Sequence, residues 1–276
     1  MPSQSHLLSP SHDPYARLAE ADAESVRVIA DRLERRAAHP DQRAMTERYL
    51  ADIPWPVQAR VLDAGCGTGA VTRRLAARPE VASVLGIDPS PILIARAREL
   101  ARAGAISFEV GDARALAAAD TTFDVVVFHT VLCHLPGADK ALAEARRVLK
   151  PGGWLAVFDG DYASATVALG PDDPLQACTA AAIAHNVHDR WLVRRLPFLI
   201  EQAGFALGRF QSHGYAEIAE PEYLVGQIAR GADFLAADGM IGRDLADALK
   251  NEAKRRATEG RFFGHIAYAS IVAQKA

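Results

Sequence analysis

Cysteine is scarce in this chain, with 3 in 276 residues: Cys66, Cys133 and Cys178. They are far apart, with no CxxC pair and no zinc-ligand spacing. That argues against a disulfide framework and a metal site, and it predicts reduced thiols and a cytoplasmic location. A basic excess is also missing, since 31 Lys and Arg face 34 Asp and Glu for a formal net charge of −3. Nucleic-acid binders usually carry a basic stripe. The densest basic run here, Lys254-Arg255-Arg256, is short and reads as a solvated helix face. No apolar run is long enough to cross a bilayer. Residues 1–13 lack the charged-then-apolar order of a signal peptide. Neither a membrane nor a nucleic acid is expected as partner. What remains is a chain that is half hydrophobic and 24% charged, which suits one large α/β domain or a domain with a cap.

Along the chain, 1–14 read as a loose tail and 15–38 as amphipathic helix, with Leu18, Val26, Ile29 and Leu33 near a helical period. Pro40 breaks that run, and a second helix is predicted over 41–51. From Pro56 onward, short apolar strands alternate with helices. Strands are predicted at 60–64, 82–87, 106–110, 123–128 and 154–158. Helices are predicted at 68–77, at 91–102 ending at Gly104, and at 138–149 before Pro151-Gly152-Gly153. Runs such as Val125-Val126-Val127-Phe128 suit strands buried on both faces. Repeated strand–helix–strand units predict a doubly wound parallel sheet. Further on, a helix is expected at 191–203, a strand at 206–211 and a final strand at 265–273. Between them, 220–258 reads as helical with breaks at Gly231, Gly239 and Gly242. The expected organisation is a tail and helical lid over 1–56, then a domain over 57–276 with a helical cap near 216–260.

Two local signals carry chemistry. A strand runs straight into Gly65, Gly67 and Gly69 and then into a helix. Missing side chains let the backbone turn sharply and lie against a ligand, and free amides at a helix start favour an acidic or polar group. The second signal is Asp88, at the end of the next strand and 19 residues after Gly69. A carboxylate there can accept both hydroxyls of a ribose, though it could also simply cap the helix that follows.

The run Asp63-Ala64-Gly65-Cys66-Gly67-Thr68-Gly69 resembles the first motif of the class I S-adenosylmethionine-dependent methyltransferases. Asp88 matches their ribose-binding acid, with Pro89 beside it. Val110-Gly111-Asp112-Ala113 resembles their third motif, in which the acid reaches the adenine amino group and the next amide meets the ring. Phe123 to Thr130 resembles their fourth strand, whose end lies near the methionine part, and Leu149 to Leu155 the turn into the fifth. The resemblance is specific over 60–159. It implies a Rossmann-like, seven-stranded, mostly parallel sheet with an antiparallel last strand and helices on both faces. It also implies S-adenosylmethionine as cofactor. The implied cofactor contacts are Asp63, Gly65, Cys66, Gly67, Gly69, Asp88, Pro89, Gly111, Asp112, Ala113, His129, Thr130 and His134. Tyr15 would join them from the N-terminal lid. His129-Thr130-Val131-Leu132-Cys133-His134-Leu135 is similar to the quinone-biosynthesis type and departs from the Asn/Asp-Pro-Pro-Tyr motif of enzymes that methylate adenine, cytosine or glutamine nitrogens. A small-molecule acceptor is therefore expected.

Methyl transfer is an in-line displacement at an already activated carbon, so alignment supplies most of the rate. A base is needed only where the acceptor must lose a proton. His129, His134 and Asp159 are the candidates; His129 reads better as a cofactor contact. Asp161, His185, His188 and His213 are weaker candidates. Phe198, Phe234, Leu235, Met240, Phe262 and Phe263 could wall an acceptor pocket, which would suit an aromatic or apolar metabolite of secondary metabolism. A monomer or homodimer is expected. Two rivals stand beside this reading. Gly65, Gly67 and Ala70 also fit the G-x-G-x-x-A of nicotinamide-dependent oxidoreductases, although Asp63 and Gly69 fit the methyl-donor loop better. A cofactor-binding protein without methyl transfer would keep the same loop.

Overall fold

The valine-rich strands find partners on both sides in one sheet of seven. A computed structural model describes residues 13–15, 22–101, 105–218 and 221–276. Its strands are β1 (Ala59–Ala64), β2 (Val81–Asp88), β3 (Ile106–Val110), β4 (Phe123–His129), β5 (Leu149–Thr166), β6 (Phe205–Glu217) and β7 (Gly264–Lys275). They lie in the order β3-β2-β1-β4-β5-β7-β6. β7 runs antiparallel to β5 and β6, and the other neighbours are parallel. This is the mostly parallel sheet that the sequence predicts. The chain winds outward from β1 to β3 on one side and from β4 to β5 on the other. Loops leaving β1 and β4 therefore diverge and open a crevice at their carboxyl ends.

The helices are α1 (Ala23–Ala38), α2 (Pro40–Ala51), α3 (Ala70–Ala76), α4 (Pro91–Leu100), α5 (Ala138–Val148), α6 (Leu175–Asn186), α7 (Leu192–Gln202), α8 (Glu222–Ala237) and α9 (Arg243–Thr258). The main core holds Val61, Leu62 and Val125 to Phe128. Tyr49, Phe158 and Tyr268 stack through it, with ring centroids 5.2 Å apart at each step. A second core joins α6, α8 and α9 through Leu175, Cys178, Ile228 and Leu249. All three cysteines are free and buried. Among the described residues, no helix is long and apolar enough to cross a membrane.

Several elements differ from expectation. α1 starts at Ala23, capped by Asp22, whose Oδ1 accepts the Ser25 N–H at 2.9 Å. Tyr15 lies in a turn before it, while Leu18 and Gly104 fall outside the described residues. β5 is far longer than 154–158. Gly152, at φ +73°, and a register shift absorb the Pro-Gly-Gly corner. Beyond Phe158 the strand continues on β7, with Asp159 opposite Ala269 and Asp161 opposite Ala267. α6 was not foreseen. Its buried face is Leu175, Cys178, Thr179, Ala182, Ile183 and Asn186, but alanines on the other faces erase the contrast that marks an amphipathic helix. Gly231 does not break α8. A Cβ there would sit 1.7 Å from the Cys178 carbonyl oxygen, so this glycine lets the two helix backbones touch.

Candidate functional site

The crevice holds a cleft of about 1370 Å³, counting its open mouth. Its floor is built from the ends of three strands. β1 contributes Asp63 and the glycine loop, β2 contributes Asp88, and β4 contributes His129 and Thr130. At the turn after β1, the Gly65 and Cys66 amides both donate to the Ile87 carbonyl at 2.8 Å, which ties the loop to the end of β2. Gly65 has φ +82°, and a Cβ there would lie 2.5 Å from a Val131 methyl. Gly69 has φ +75° and abuts the Phe108 ring. Only a residue without a side chain fits either place.

Asp88 is 5% exposed. Its Oδ2 accepts the Gly67 N–H at 3.0 Å and its Oδ1 the Ser90 N–H at 2.9 Å. The helix-cap alternative fails, because Ser90 caps α4. Two amides leave acceptor capacity on both oxygens. Burial pushes the carboxyl up to about 6 against those two hydrogen bonds. Asp63 accepts from the Thr72 hydroxyl at 2.6 Å. Burial, opposed by that bond and reinforced by the charge of Asp88, pushes Asp63 up to about 7. Cys66 lines the cleft as a thiol that burial pushes up.

At the end of β4, Thr130 has φ +54°, a conformation that costs a β-branched residue strain. Its amide donates to the Phe158 carbonyl at 2.6 Å, and its hydroxyl accepts from Arg36 at 2.7 Å. His129 stacks on Phe158, and its Nδ1 lies 3.0 Å from the Tyr49 hydroxyl. Burial, with Arg36 and Arg74 nearby, pushes His129 down to about 3, so the ring is neutral near pH 7.

α1 forms the roof, where Arg32, Leu33 and Arg36 line the cleft. It is anchored to the glycine loop by Glu34, which accepts from the Thr68 hydroxyl at 2.5 Å and from Arg73 at 2.8 Å. His134 and Tyr15 line the same space, with ring centroids 4.5 Å apart. His134 Nδ1 lies 2.7 Å from Asp13 Oδ2, which also accepts the His188 N–H. A buried carboxylate on Nδ1 fixes the tautomer that leaves Nε2 as acceptor. α8 also lines the cleft, with Tyr223, Gln227 and Arg230, which share one helix face.

The structure therefore gathers Tyr15, Asp63, Gly65, Cys66, Gly67, Asp88, Pro89, His129, Thr130 and His134 around one cleft. Other expected residues lie elsewhere. Gly69 caps α3 and packs on Phe108. Gly111, Asp112 and Ala113 do not line the cleft. The Asp112 carboxylate is taken by the Arg114 fork at 2.7–3.2 Å, and Ala113 is in the main core. Asp159 is fully buried behind the loop, where it accepts the Cys133 and Gly160 amides. Asp161 pairs with Arg194, His185 with Asp238, and His213 with Ser270. The expected apolar wall is not there. Phe198 and Met240 face solvent, Phe262 is in the second core, and Phe234 stacks on His185. Sequence reasoning missed Asp13, Arg36, Tyr49, Tyr162 and the α8 face, because tertiary contacts alone bring them here.

Residues 62–157 match the family described as "Methyltransferase domain". Among curated relatives, the trans-aconitate 2-methyltransferase of Methylobacterium nodulans is 36% identical over 140 residues, 51% of this chain and 50% of its own length. Methyltransferase GfsG of Streptomyces halstedii is 32% identical over 174 residues, 59% of this chain and 58% of its own length. The chain thus spans about half the length of the curated relatives it matches. Two solved structures share the fold. The cyclase SpnF superposes with TM-score 0.55 at 24% identity, over 85% of this chain and 80% of its own. A geranyl diphosphate methyltransferase superposes with TM-score 0.52 at 16% identity, over 84% and 85%. A fold that carries a cyclase name as well as methyltransferase names does not by itself assign a reaction. The segment that carries the glycine loop and the strand-end acid, residues 62–157, is thus similar to a methyltransferase domain, and the sheet around it has the order β3-β2-β1-β4-β5-β7-β6.

Proposed function

We propose that the chain transfers the methyl group of S-adenosylmethionine to an oxygen, carbon or nitrogen atom of a small-molecule acceptor. The observation that carries this reading is Asp88, held by the Gly67 amide at the end of β2 with lone pairs to spare. S-adenosylmethionine, once bound, supplies a methyl group already activated on a sulfonium. The residues present suit it. Asp88 accepts from the ribose hydroxyls, and the bare backbone of Gly65 and Gly67 allows close approach. Arg36, beside Thr130, offers a cation for the amino-acid carboxylate. His129, neutral near pH 7, serves as a hydrogen-bonding wall rather than a base. His134, oriented by Asp13, takes the proton of an acceptor that must lose one.

Names of relatives support a small acceptor: trans-aconitate 2-methyltransferases and a 27-O-demethylrifamycin SV methyltransferase of Amycolatopsis mediterranei are among them. The test is a thermal-shift comparison followed by a search for methylated product. S-adenosylhomocysteine should stabilise the protein and NADH should not; stabilisation by NADH alone would transfer the reading to an oxidoreductase. Tight S-adenosylhomocysteine binding with no methylated product from any acceptor would leave a binder without methyl transfer.

The reading also fixes a pH dependence. Ionised Asp88 is the form that accepts from two hydroxyls, and its carboxyl stands at about 6 in the protein alone. Protonation below that value competes with the ligand, so affinity should rise with pH. S-adenosylhomocysteine should bind roughly tenfold more weakly at pH 5 than at pH 7.5, since a pH unit below the pKa is worth about 1.4 kcal/mol. A flat calorimetric profile over that range would contradict the role of Asp88.

A further inference from the structure

Guanidinium groups from α1, α3 and α8 meet around the one cleft. Arg32, Arg36, Arg74 and Arg230 all line it. Two of them are engaged. Arg74 meets Glu47 at 3.3 Å and donates to the Ala37 carbonyl at 3.0 Å. Arg36 donates to Thr130 and, in the functional reading above, faces the cofactor's single carboxylate. Arg32 and Arg230 have no carboxylate partner among the described residues, and the Arg230 Nε is buried with no hydrogen-bond acceptor. Neither carboxylate on the floor pairs with these arginines: Asp63 accepts from Thr72 and Asp88 from backbone amides.

Gln227 adds an independent sign. It lines the cleft and is 8% exposed, yet its Oε1 has no partner, while its Nε2 donates to the Tyr223 hydroxyl at 3.2 Å. Turning the amide over would let Tyr223 donate to Oε1 and would leave the NH2 unpaired instead. Either way a buried polar atom lacks its partner, which is costly unless a ligand supplies one. Arg230 bears a related cost. Burial, and then the nearby positive charge of Arg32, pull its pKa down. Like charges left together in a partly buried wall call for an anion between them.

We propose that the acceptor carries a compact oxyanion, a carboxylate or a phosphate, gripped by Arg230 and Arg32 with Gln227 beside it. Guanidinium forks match both groups in a paired, planar geometry. This inference rests on the methyl-transfer reading and narrows its acceptor away from the aromatic or apolar metabolite expected from composition. It leaves His134 free to act on an atom carried by the gripped molecule.

The test uses the full chain and Arg230→Met. Calorimetry with S-adenosylhomocysteine comes first, on both proteins. Thermal shift follows on the saturated complexes at constant ionic strength. Its probes are glutarate, propane-1,2,3-tricarboxylate, inorganic phosphate and glycerol phosphate, against neutral glutaramide. We expect S-adenosylhomocysteine to bind both proteins within about twofold. At least one oxyanion should stabilise the wild-type complex by several degrees more than glutaramide does, and Arg230→Met should abolish that gain. Carboxylates alone acting would assign a carboxylic acid; phosphates alone, a phosphate ester. The proposal falls if no oxyanion exceeds glutaramide, or if Arg230→Met keeps the full gain. It also falls if that variant loses about tenfold or more in S-adenosylhomocysteine affinity, which would give Arg230 to the cofactor. Failure of the wild type to bind S-adenosylhomocysteine would instead remove the functional reading beneath it.

Discussion

His134→Gln should lower kcat by ~10²–10⁴, the usual worth of a positioned general base, for an acceptor whose nucleophile carries a proton. The histidine lines the cleft and has Asp13 on its Nδ1 at 2.7 Å, so its Nε2 is the atom available for proton transfer. Glutamine keeps the size and polarity of the side chain but cannot take up a proton at neutral pH. Binding of S-adenosylhomocysteine should stay within about twofold, because the contacts assigned to the cofactor lie on the glycine loop, Asp88 and Arg36. Asp13→Asn should act in the same direction through the lost orientation of the ring. An unchanged kcat would remove the base. A loss of affinity in step with kcat would make His134 a cofactor contact.

Gly65→Ala should destabilise the protein by roughly 2–5 kcal/mol and weaken S-adenosylhomocysteine binding. Two costs add. At φ +82° a side chain pays about 1–2 kcal/mol for the left-handed backbone. Its Cβ also meets the Val131 methyls at 2.5 and 2.6 Å, and such crowding costs about 1–3 kcal/mol. Val131→Ala in the same chain should return part of the crowding term and none of the backbone term. Chemical denaturation of the single and double variants separates the two. A Gly65→Ala protein with wild-type midpoint and affinity would mean that the loop yields at little cost.

What could be read from the sequence was what is local. Gly65, Gly67 and Gly69 announce a strand-to-helix turn because their left-handed backbone needs glycine. Asp88 is legible because a strand end followed by a helix start puts it beside that turn. Val125 to Phe128 announce a strand buried on both faces. Legibility failed where distance or composition hid the contact. Asp13 meets His134 across 121 residues of chain, and nothing near either residue marks the pair. Tyr223, Gln227 and Arg230 share a face of α8, but Leu224, Ile228 and Ala232 interleaved with them mark only a packing helix. Those apolar residues pack into the core with α6, a helix whose alanines conceal its period. Asp112 fits the motif, and its carboxylate is paired with Arg114, two residues on, which the motif does not announce. Thus the side of the cleft built by the glycine loop and Asp88 was readable in one stretch of chain. The side lined by Tyr15, α1 and α8 is assembled by elements that meet only in the fold.

In the proposed reading Asp88 and the glycine loop hold the nucleoside of S-adenosylmethionine. The decisive measurement is isothermal titration with S-adenosylhomocysteine on the wild type and on Asp88→Ala. Binding to the wild type should be saturable, and the variant should lose about 1–3 kcal/mol, the cost of leaving buried polar groups unpaired. No binding by the wild type, or equal binding by both proteins, would contradict it.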